Sequence, residues 1–411
     1  MGSEWQTITV GEFAPFTYGK GLPEKSRNHS GKWPVFGSNG VVGFHDKPLT
    51  DVPTVVIGRK GSVGAVHFSQ TGCWPIDTTF YVTGKNLILT RFRYYVLKSL
   101  GLEHMNSDSA VPGLNRDAAH AISLDVPQSE IEQADISKVL GIFDDRIDHN
   151  RALAAKLEAI VRRLFKSWFV DFDPVRAKAA GEKPAGLADD IAALFPDRFE
   201  DSELGEIPEG WQQTTLAAIA SLNPETWTTR KHPDEIDYLD LSNVKDGVIE
   251  APTKYSWDDA PSRARRVLQQ GDTIIGTVRP GNRSFALIDE VGFTGSTGFA
   301  VLRPLSDVNR EFLYIAATND DAIERLAHLA DGAAYPAVRP EVVLATEIII
   351  PSDEVMTAFS AVTKGMIDHA SVCKQESNVL AEIRDLLLPR LISGKLRVSE
   401  VEEAIAEAIT Q

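Results

Sequence analysis

Two short segments contain residue types that could act on a phosphate or an amino group. Residues 58–64, Gly-Arg-Lys-Gly-Ser-Val-Gly, have the composition of a phosphate-binding loop. The residues that follow are strand-like, so no helix N-terminus is available to hold an anion, and a glycine-rich hairpin turn is favoured. Asn223 and Pro224 begin the motif of an amino-methyltransferase, but Glu225 stands where that motif needs a second proline.

An acidic cluster formed by Asp144, Asp145 and Asp148 could bind a metal ion. Arg146 and Arg151 lie close to it in a segment with helical periodicity, which favours a solvated, charged helix face. The sequence also lacks the Walker A spacing and the HExxH, GxSxG and paired CxxC motifs. We therefore expect a binding protein that has no catalytic residues, no metal and no cofactor of its own.

The net charge of −16 over 411 residues argues against a uniformly basic, nucleic-acid-binding surface. The acidic residues are unevenly distributed, however. Residues 1–129 contain 12 Lys and Arg against 10 Asp and Glu, whereas residues 171–208 contain 4 against 10 and residues 209–352 contain 13 against 21. A nucleic-acid contact in the second half of the chain would have to come from a local basic cluster.

The cysteine content and the hydropathy pattern indicate the compartment. Cys73 and Cys373 have no neighbouring Cys or His at metal-binding spacing, so we expect two reduced thiols. No apolar run approaches the length that crosses a bilayer, and no charged-then-apolar leader pattern opens the sequence. These features predict a soluble, cytoplasmic protein.

An internal repeat organises the chain. Trp5 and Trp211 each open a copy, and residues 55–61 (VVIGRKG) correspond to residues 273–281 (TIIGTVRPG). A period of roughly 220 residues is too long for a solenoid repeat, so it predicts two homologous globular domains related by an approximate two-fold axis. The clearest match pairs SAVPGLNRD with AAYPAVRPE, which places Ala110, Pro112, Leu114 and Asp117 on Ala334, Pro336, Val338 and Glu341.

Both predicted domains, residues 1–129 and residues 209–352, are β-rich with a few helices, so the fold class is α+β. Short apolar runs bounded by Gly, Pro and Asn predict strands in each domain. These strands cover residues 54–57, 65–68 and 79–82 and, in the second domain, residues 272–276, 284–288 and 298–302. One helix is predicted in each domain, at residues 91–100 and 311–317.

Two long stretches, residues 130–170 and residues 353–398, have apolar residues at three- and four-residue steps. Each would form a helix about 60 Å long, which needs a partner along its apolar stripe. The obvious partner of each helix is the other one. The residues predicted to line this seam are Leu153, Leu157, Ile160, Leu164, Trp168, Leu380, Ile383, Leu387 and Leu391.

The remaining segments have the composition of a linker and a tail. Residues 171–208 are acidic and contain four prolines and three glycines, which is typical of a linker between domains. A short helix at residues 187–195 is compatible with this composition. Residues 399–411 form an acidic tail.

Four sequence motifs, taken with their positions along the chain, carry a family resemblance. They are GEIPEGW (205–211), the x-A-x-P-x-[LV] loop of each domain, RLFKSWFVDFDP (163–174) and LLPRLISGKLRV (387–398). With this duplication, the chain resembles the specificity subunit of type I restriction-modification systems over nearly its whole length.

The resemblance implies a non-catalytic DNA-recognition subunit. Two target recognition domains would each read one half of a split, asymmetric DNA site, and an antiparallel coiled coil of the two long helices would hold them apart. Half-sites one to two helical turns of DNA apart would suit helices of this length. The expected partners are double-stranded DNA, two methyltransferase subunits and the helicase-nuclease restriction subunits. S-adenosylmethionine for adenine N6 methylation, ATP and Mg would belong to those partner subunits.

DNA contacts require Lys or Arg at phosphates and Arg, Lys, Asn or Gln at base edges. Loop residues of these types in the first domain are Lys20, Lys25, Arg27, Asn39, Arg59 and Lys60. Those in the second domain are Arg230, Lys231, Arg263, Arg265, Arg266, Arg279, Asn282 and Arg283. Four tryptophans could stack on bases, although a core role is favoured for them: Trp33, Trp74, Trp227 and Trp257.

Two other classes of function fit parts of the sequence. A coiled-coil scaffold whose domains bind protein, with no DNA role, would suit the acidic net charge. A nuclease with dispersed carboxylates would leave no motif. Sequence-selective, salt-sensitive DNA binding separates the first class from DNA recognition, and metal-dependent cleavage by the isolated chain would identify the second.

Overall fold

The computed structural model describes residues 5–28, 30–105, 113–203, 205–332, 335–401 and residue 403. The chain divides into two compact units. The first comprises Met1–Asp148 and Val379–Gln411, and the second comprises His149–Asn378. Each unit therefore contains one β-rich domain and one part of each long helix. Six residues of the repeated loops lie outside the described residues, namely residues 109–112 and 333–334, and they include Ala110, Pro112 and Ala334 of the matched positions.

The first unit is built on two small sheets and a strand pair. Its described strands are β1 (Trp5–Thr9), β2 (Thr17–Tyr18), β3 (Trp33–Gly37), β4 (Gly40–His45), β5 (Thr54–Gly58), β6 (Val66–Ser69), β7 (Trp74–Pro75), β8 (Thr79–Thr83) and β9 (Ser123–Pro127). Its described helices are α1 (Val10–Phe13), α2 (Leu87–Ser99), α3 (Arg116–His120) and α4 (Glu130–Phe169), of which the last continues into the second unit.

The second unit repeats this plan and adds strands. Its described strands are β10 (Phe199–Ser202), β11 (Gly205–Pro208), β12 (Gln212–Thr215), β13 (Ala220–Leu222), β14 (Glu235–Leu239), β15 (Val244–Lys245), β16 (Val248–Ile249), β17 (Thr253–Ser256), β18 (Ala264–Val267), β19 (Thr273–Gly276), β20 (Phe285–Leu287), β21 (Phe293–Ser296), β22 (Phe299–Pro304) and β23 (Glu347–Ile350). Its described helices are α5 (Asp173–Ala179), α6 (Asp189–Leu194), α7 (Arg310–Thr318), α8 (Asp320–Leu329), α9 (Pro340–Leu344) and α10 (Asp353–Ile392), of which the last continues into the first unit.

The predicted secondary structure of both domains is confirmed to within a few residues. The three strands predicted in the first domain are β5, β6 and β8, and those predicted in the second are β19, β20 and β22. The predicted helices are α2 and α7. Asn86 explains why α2 begins several residues earlier than predicted, because its side chain accepts hydrogen bonds from the amides of Ile88 and Leu89 at 3.0 and 3.2 Å.

The sheet topology shows the internal repeat. The central sheet of the first unit has the strand order β2-β8-β5-β6, and that of the second has the corresponding order β13-β22-β19-β20. The outer sheets, β4-β3-β7 and β17-β14-β21-β18, each contain one parallel pair, β3 with β7 and β14 with β21. Strand β18 extends the outer sheet of the second unit beyond the plan of the first.

Individual backbone hydrogen bonds recur at equivalent positions of the repeat. The amide of Val10 donates to the carbonyl oxygen of Ile122 at 2.9 Å, and the amide of Leu216 donates to that of Thr346 at 3.0 Å. Both bonds continue the strand pairs β1-β9 and β12-β23. The two domains are therefore homologous in detail and not merely alike in composition.

The two long helices run antiparallel within each unit. In the first unit, Asp144 pairs with Arg384, and Glu132, which lies nearer the start of α4, pairs with Arg397 just beyond the end of α10. In the second unit, Glu158 pairs with Lys374, and the rings of Phe165 and Phe359 lie 6.3 Å apart. These pairs show the predicted antiparallel helix pairing in each unit separately.

The seam between the helices does not include two of the predicted residues. The side chains of Ile160 and Ile383 are 47% and 39% exposed, because the neighbouring residues Val161 and Arg384 occupy the buried positions. Of the other predicted seam residues, Trp168 and Leu391 are buried, and the following are half-buried: Leu153, Leu157, Leu164, Leu380 and Leu387. In the second unit, small buried residues from both helices pack together, namely Ala154, Ala370 and Cys373, and Asn150 and Ser377 are also buried.

The second helix ends at Ile392, earlier than the predicted residue 398. Gly394 has a φ of +70°, the left-handed conformation that commonly terminates a helix. The indole nitrogen of Trp5 donates to the carbonyl oxygen of Ile392 at 2.6 Å, which covers the helix end.

The segment with linker composition is folded and not an open connection. It contains α5, α6 and the hairpin of β10 with β11. Phe172, Val175 and Phe195 are buried in the same hydrophobic cluster as Trp168 and Trp211. The prolines and glycines of this segment therefore bound short elements, and the aromatic residues between them anchor it. The helix α6 confirms the short helix predicted here, with narrower limits.

Candidate nucleic-acid interface

Arg59 and Lys60 follow β5 at one end of the central sheet of the first unit. The amide of Arg59 donates to the carbonyl oxygen of Thr78 at 2.9 Å, and the amide of Leu114 donates to that of Arg59 at 2.9 Å. The amide of Gly58 donates to the carbonyl oxygen of Ala65 at 2.8 Å, which closes the turn between β5 and β6. The glycine-rich segment is thus the predicted hairpin turn, and its backbone holds the two basic side chains in place.

An exposed tyrosine lies beside this turn. Tyr18 is 52% exposed, and the guanidinium carbons of Arg59 and Arg116 lie 5.5 and 5.3 Å from its ring centre. Such arginine and aromatic pairs keep the charge at the surface while holding the guanidinium plane in one orientation. We call Tyr18, Arg59, Lys60 and Arg116 the first corner.

Arg116 is absent from the residues predicted from the sequence. It starts α3 directly after the repeated loop, and Asn115 caps that helix by accepting from the amides of Asp117 and Ala118 at 2.9 and 3.0 Å. The signal in the sequence was its place in the SAVPGLNRD string next to Leu114, whose amide bonds to Arg59. Arg116 lies 57 positions after Arg59 in the sequence, and the two can be placed together only once the bond between Leu114 and Arg59 is known.

The other predicted residues of the first domain divide into two groups. Asn39 is exposed and next to Ser38, whose hydroxyl lies within hydrogen-bonding distance of the carbonyl oxygens of Lys60 and Thr78, so Asn39 lies near the first corner. Lys20 is exposed, and its carbonyl oxygen accepts from the indole of Trp74 at 2.9 Å. The remaining two residues are Lys25 and Arg27. Among the described residues, neither bonds to the first corner, and Arg27 donates to the carbonyl oxygen of Leu22 at 3.1 Å.

The second unit has a corner at the equivalent place. The amide of Val338 donates to the carbonyl oxygen of Thr277 at 2.9 Å, the counterpart of the bond from Leu114 to Arg59. The amide of Arg279 donates to the carbonyl oxygen of Pro336 at 2.7 Å. Arg279 is exposed and lies 4.6 Å from the ring centre of Tyr335, which is itself 71% exposed. We call Arg279, Asn282 and Tyr335 the second corner.

Arg283, also predicted to contact DNA, forms two ion pairs. Its side chain donates to Asp246 and, at 2.9 Å, to Asp320, and it lies 5.3 Å from the ring centre of Phe285. Partial burial opposes its charge, but the hydrogen bonds to Asp246 and Asp320 outweigh that effect and raise the pKa of Arg283. The carboxylates of Asp246 and Asp320 thus offset the positive charge of Arg283, which the sequence analysis predicted to contact DNA.

The arginines of the outer sheet in the second unit also have partners within the protein. Arg263 donates to the phenol of Tyr238 at 3.0 Å and to Asp240. Arg265 lies 4.5 Å from the ring centre of Trp257, which stacks on His232 at 4.1 Å. Burial lowers the pKa of Arg266. The side chains of Arg263 and Arg265 therefore attach β18 to neighbouring parts of the domain. Arg230 and Lys231, in contrast, are exposed in a turn.

The four tryptophans considered for base stacking are half-buried. The indole of Trp227 donates to the hydroxyl of Thr294 at 3.0 Å, and the ring of Trp33 lies 4.8 Å from the Lys32 amine. Trp74 and Trp257 make the contacts described above. These partners give each ring a structural role, and stacking on bases stays a prediction.

The acidic cluster on α4 is solvated, as predicted, at Asp145 and Asp148, which are exposed, whereas Asp144 is half-buried. Asp144 accepts from the phenol of Tyr95 at 2.6 Å and from Arg384, and Asp145 pairs with Arg91 at 2.5 Å. Burial and the charge of Asp144 raise the pKa of Tyr95. Among the described residues, no group of three or more His, Cys, Asp or Glu is arranged to hold a metal ion.

Comparisons with known proteins agree with the duplicated fold. Residues 2–159 match the family described as the type I restriction modification DNA specificity domain. The chain is 24% identical to the type I restriction enzyme HindI specificity subunit of Haemophilus influenzae, over 79% of this chain and 81% of that protein. It is 22% identical to the MjaIX specificity subunit of Methanocaldococcus jannaschii, over 85% of this chain and 78% of that protein.

A solved structure shares the fold. The crystal structure of the type I restriction-modification S subunit from Mycoplasma genitalium matches with a TM-score of 0.57 and 16% identity, over 95% of this chain and 96% of that chain. In the part of the chain that the structure describes, no helix is long and apolar enough to span a membrane.

Proposed function

We propose that this chain, which is similar to type I restriction-modification specificity subunits over most of its length, is itself a specificity subunit and recognises an asymmetric DNA site in two separate parts. Each unit binds one part through its corner. The observation that carries this proposal is that the two corners occupy equivalent places in the repeat but carry different side chains. Equivalent frames with different contacts suit two different half-sites and not a palindrome.

The chemistry of the corners supports DNA as the ligand. The first corner combines Arg59, Lys60 and Arg116 around Tyr18, and the second combines Arg279 and Asn282 with Tyr335. Arginine and asparagine are the side chains that bond bidentately to guanine and adenine edges, and arginine and lysine also bind phosphates. A local basic cluster of this kind overcomes the objection raised by the acidic net charge.

The proposed partners follow from the family. The chain recruits two methyltransferase subunits and, with them, the helicase-nuclease restriction subunits, and the paired long helices offer the docking surface. S-adenosylmethionine, ATP and Mg bind to those partner subunits. This chain contributes sequence recognition and no catalytic group, in a cytoplasmic complex.

Methylation mapping of DNA treated with the reconstituted methyltransferase complex tests the proposal. We expect adenine methylation confined to one asymmetric motif with two specified parts and an unspecified gap. Methylation without sequence preference, or at a palindrome, would contradict the proposal. Tight binding of partner proteins without salt-sensitive DNA binding would favour the protein-binding scaffold instead.

A further inference from the structure

We propose that Arg279 and Tyr335 form one DNA contact of the second unit. Arg283, by contrast, is a positioning residue that holds the loop of residues 279–283 in its conformation. This inference rests on the proposed function, since it names the specificity residues of one half-site. The sequence treats Arg279 and Arg283 alike, and the structure gives them different surroundings.

The backbone of this loop is constrained at both ends. Arg279 and Arg283 have φ angles of +48° and +62°, in the left-handed region that is unfavourable for residues other than glycine. Such a residue is strained and persists only where the surrounding structure enforces its conformation, often at ligand-binding sites. The buried residue Pro280 and the bond from the Arg279 amide to Pro336 enforce it here.

The side chains at one end of the loop are directed to the surface. Tyr335 is a large aromatic residue with 71% exposure, and Arg279 lies over its ring at 4.6 Å. Stacking on the ring fixes the plane of the guanidinium before any ligand binds, which reduces the entropy lost on binding. A guanidinium held in this way suits bidentate contact with a guanine edge or a phosphate group.

The side chain at the other end of the loop is directed to carboxylates. Arg283 joins Asp246 and Asp320, and the amide of Asp246 in turn donates to the carbonyl oxygen of Arg283 at 2.8 Å. Asp246 also has a left-handed φ of +47°. This reciprocal arrangement couples the loop to the turn at Asp246 and to the start of α8.

Selection from a randomised DNA duplex pool tests the assignment, using the complex of the full chain with its methyltransferase subunits. For Arg279→Ala we expect the affinity for the selected duplex to fall roughly 5- to 150-fold and the base preference to relax within one half-site only. Tyr335→Ala should relax the same positions. Arg198→Ala removes an exposed arginine of the same unit and should leave both half-sites unchanged.

The outcomes separate the two proposals. If the unsubstituted complex selects no sequence, the proposed function fails. If it selects a two-part site that Arg279→Ala leaves intact in affinity and preference, the function stands and the assignment of Arg279 is overturned.

A lysine variant tests the positioning role of Arg283. Arg283→Lys keeps the charge but cannot bond both carboxylates through a planar fork. We expect it to weaken binding as much as Arg283→Ala does and to lower the melting temperature, with the salt dependence of binding unchanged. Wild-type affinity in the lysine variant would show that Arg283 acts as a simple phosphate contact.

Discussion

The amide of Leu114 donates to the carbonyl oxygen of Arg59 at 2.9 Å, which places a loop near the end of the first domain against the turn after β5. The second unit repeats this bond between Val338 and Thr277 at 2.9 Å. The bond explains why the x-A-x-P-x-[LV] loop is the clearest part of the internal repeat. It is the joint that builds the corner from two distant parts of the chain.

The first corner should control one half-site. We expect Arg59→Ala and Arg116→Ala each to weaken binding of the selected DNA duplex, because each removes a guanidinium oriented by Tyr18. Loss of one phosphate contact should lower the magnitude of the salt slope by about 1. Lys85→Ala is the matched control, since Lys85 is exposed and follows β8 at the opposite end of the sheet. Equal losses in all three variants would show that only overall charge matters.

Asp144→Ala should destabilise the first unit strongly. The substitution leaves Arg384, which is 8% exposed, without its partner on α4 and removes the acceptor of Tyr95. Leaving a buried charge without a partner costs about 3–5 kcal/mol in the free energy of unfolding. Arg384 keeps its pair with the exposed Asp385, so we expect a loss of up to about 3 kcal/mol. Chemical denaturation measures this change. Asp135→Ala breaks the exposed pair with Lys138 and should cost under about 1 kcal/mol, so a similar cost for both would contradict the burial argument.

Phe195→Ala tests whether the segment between the domains is part of the core. Phe195 is buried against Trp168, with ring centres 5.0 Å apart, so its truncation should cost about 3–5 kcal/mol. The neighbouring residue Leu194 is 37% exposed, and Leu194→Ala should cost much less. Thermal unfolding followed by circular dichroism compares the two. A segment that behaves as an open linker would give no difference between them.

Two glycines near or within α10 should respond to alanine with opposite signs. Gly394 has a φ of +70°, and an added Cβ would lie 2.9 Å from the Trp5 ring, so Gly394→Ala should destabilise by more than about 1 kcal/mol. Gly365 lies in the helix with open space around it, and Gly365→Ala should stabilise by about 0.5–1 kcal/mol. Equilibrium unfolding in urea measures both, and a stabilising Gly394→Ala would contradict the cap geometry.

Much of the fold could be predicted because periodicity is local. The apolar run at residues 54–57 predicts β5, and the repeated three- and four-residue spacing predicts α4 and α10. Which face of a helix is buried is harder to derive from the sequence than the helical periodicity itself. Ile160 and Ile383 fit the helical spacing, yet the buried residues are their neighbours Val161 and Arg384. Arg384 pairs with Asp144 of the partner helix, and hydropathy alone does not select a paired arginine for a buried position.

The candidate site divides in the same way. The sequence by itself determined the duplication, the family resemblance and the set of basic loop residues, since these depend on residue identity and order. Only the tertiary structure separated Arg279 from Arg283, because the carboxylates that pair with Arg283 are each 37 residues away along the chain. It likewise brought Arg116 to Tyr18. Side-chain partners depend on which loops meet, and that is decided by long-range strand pairing, which no local pattern contains.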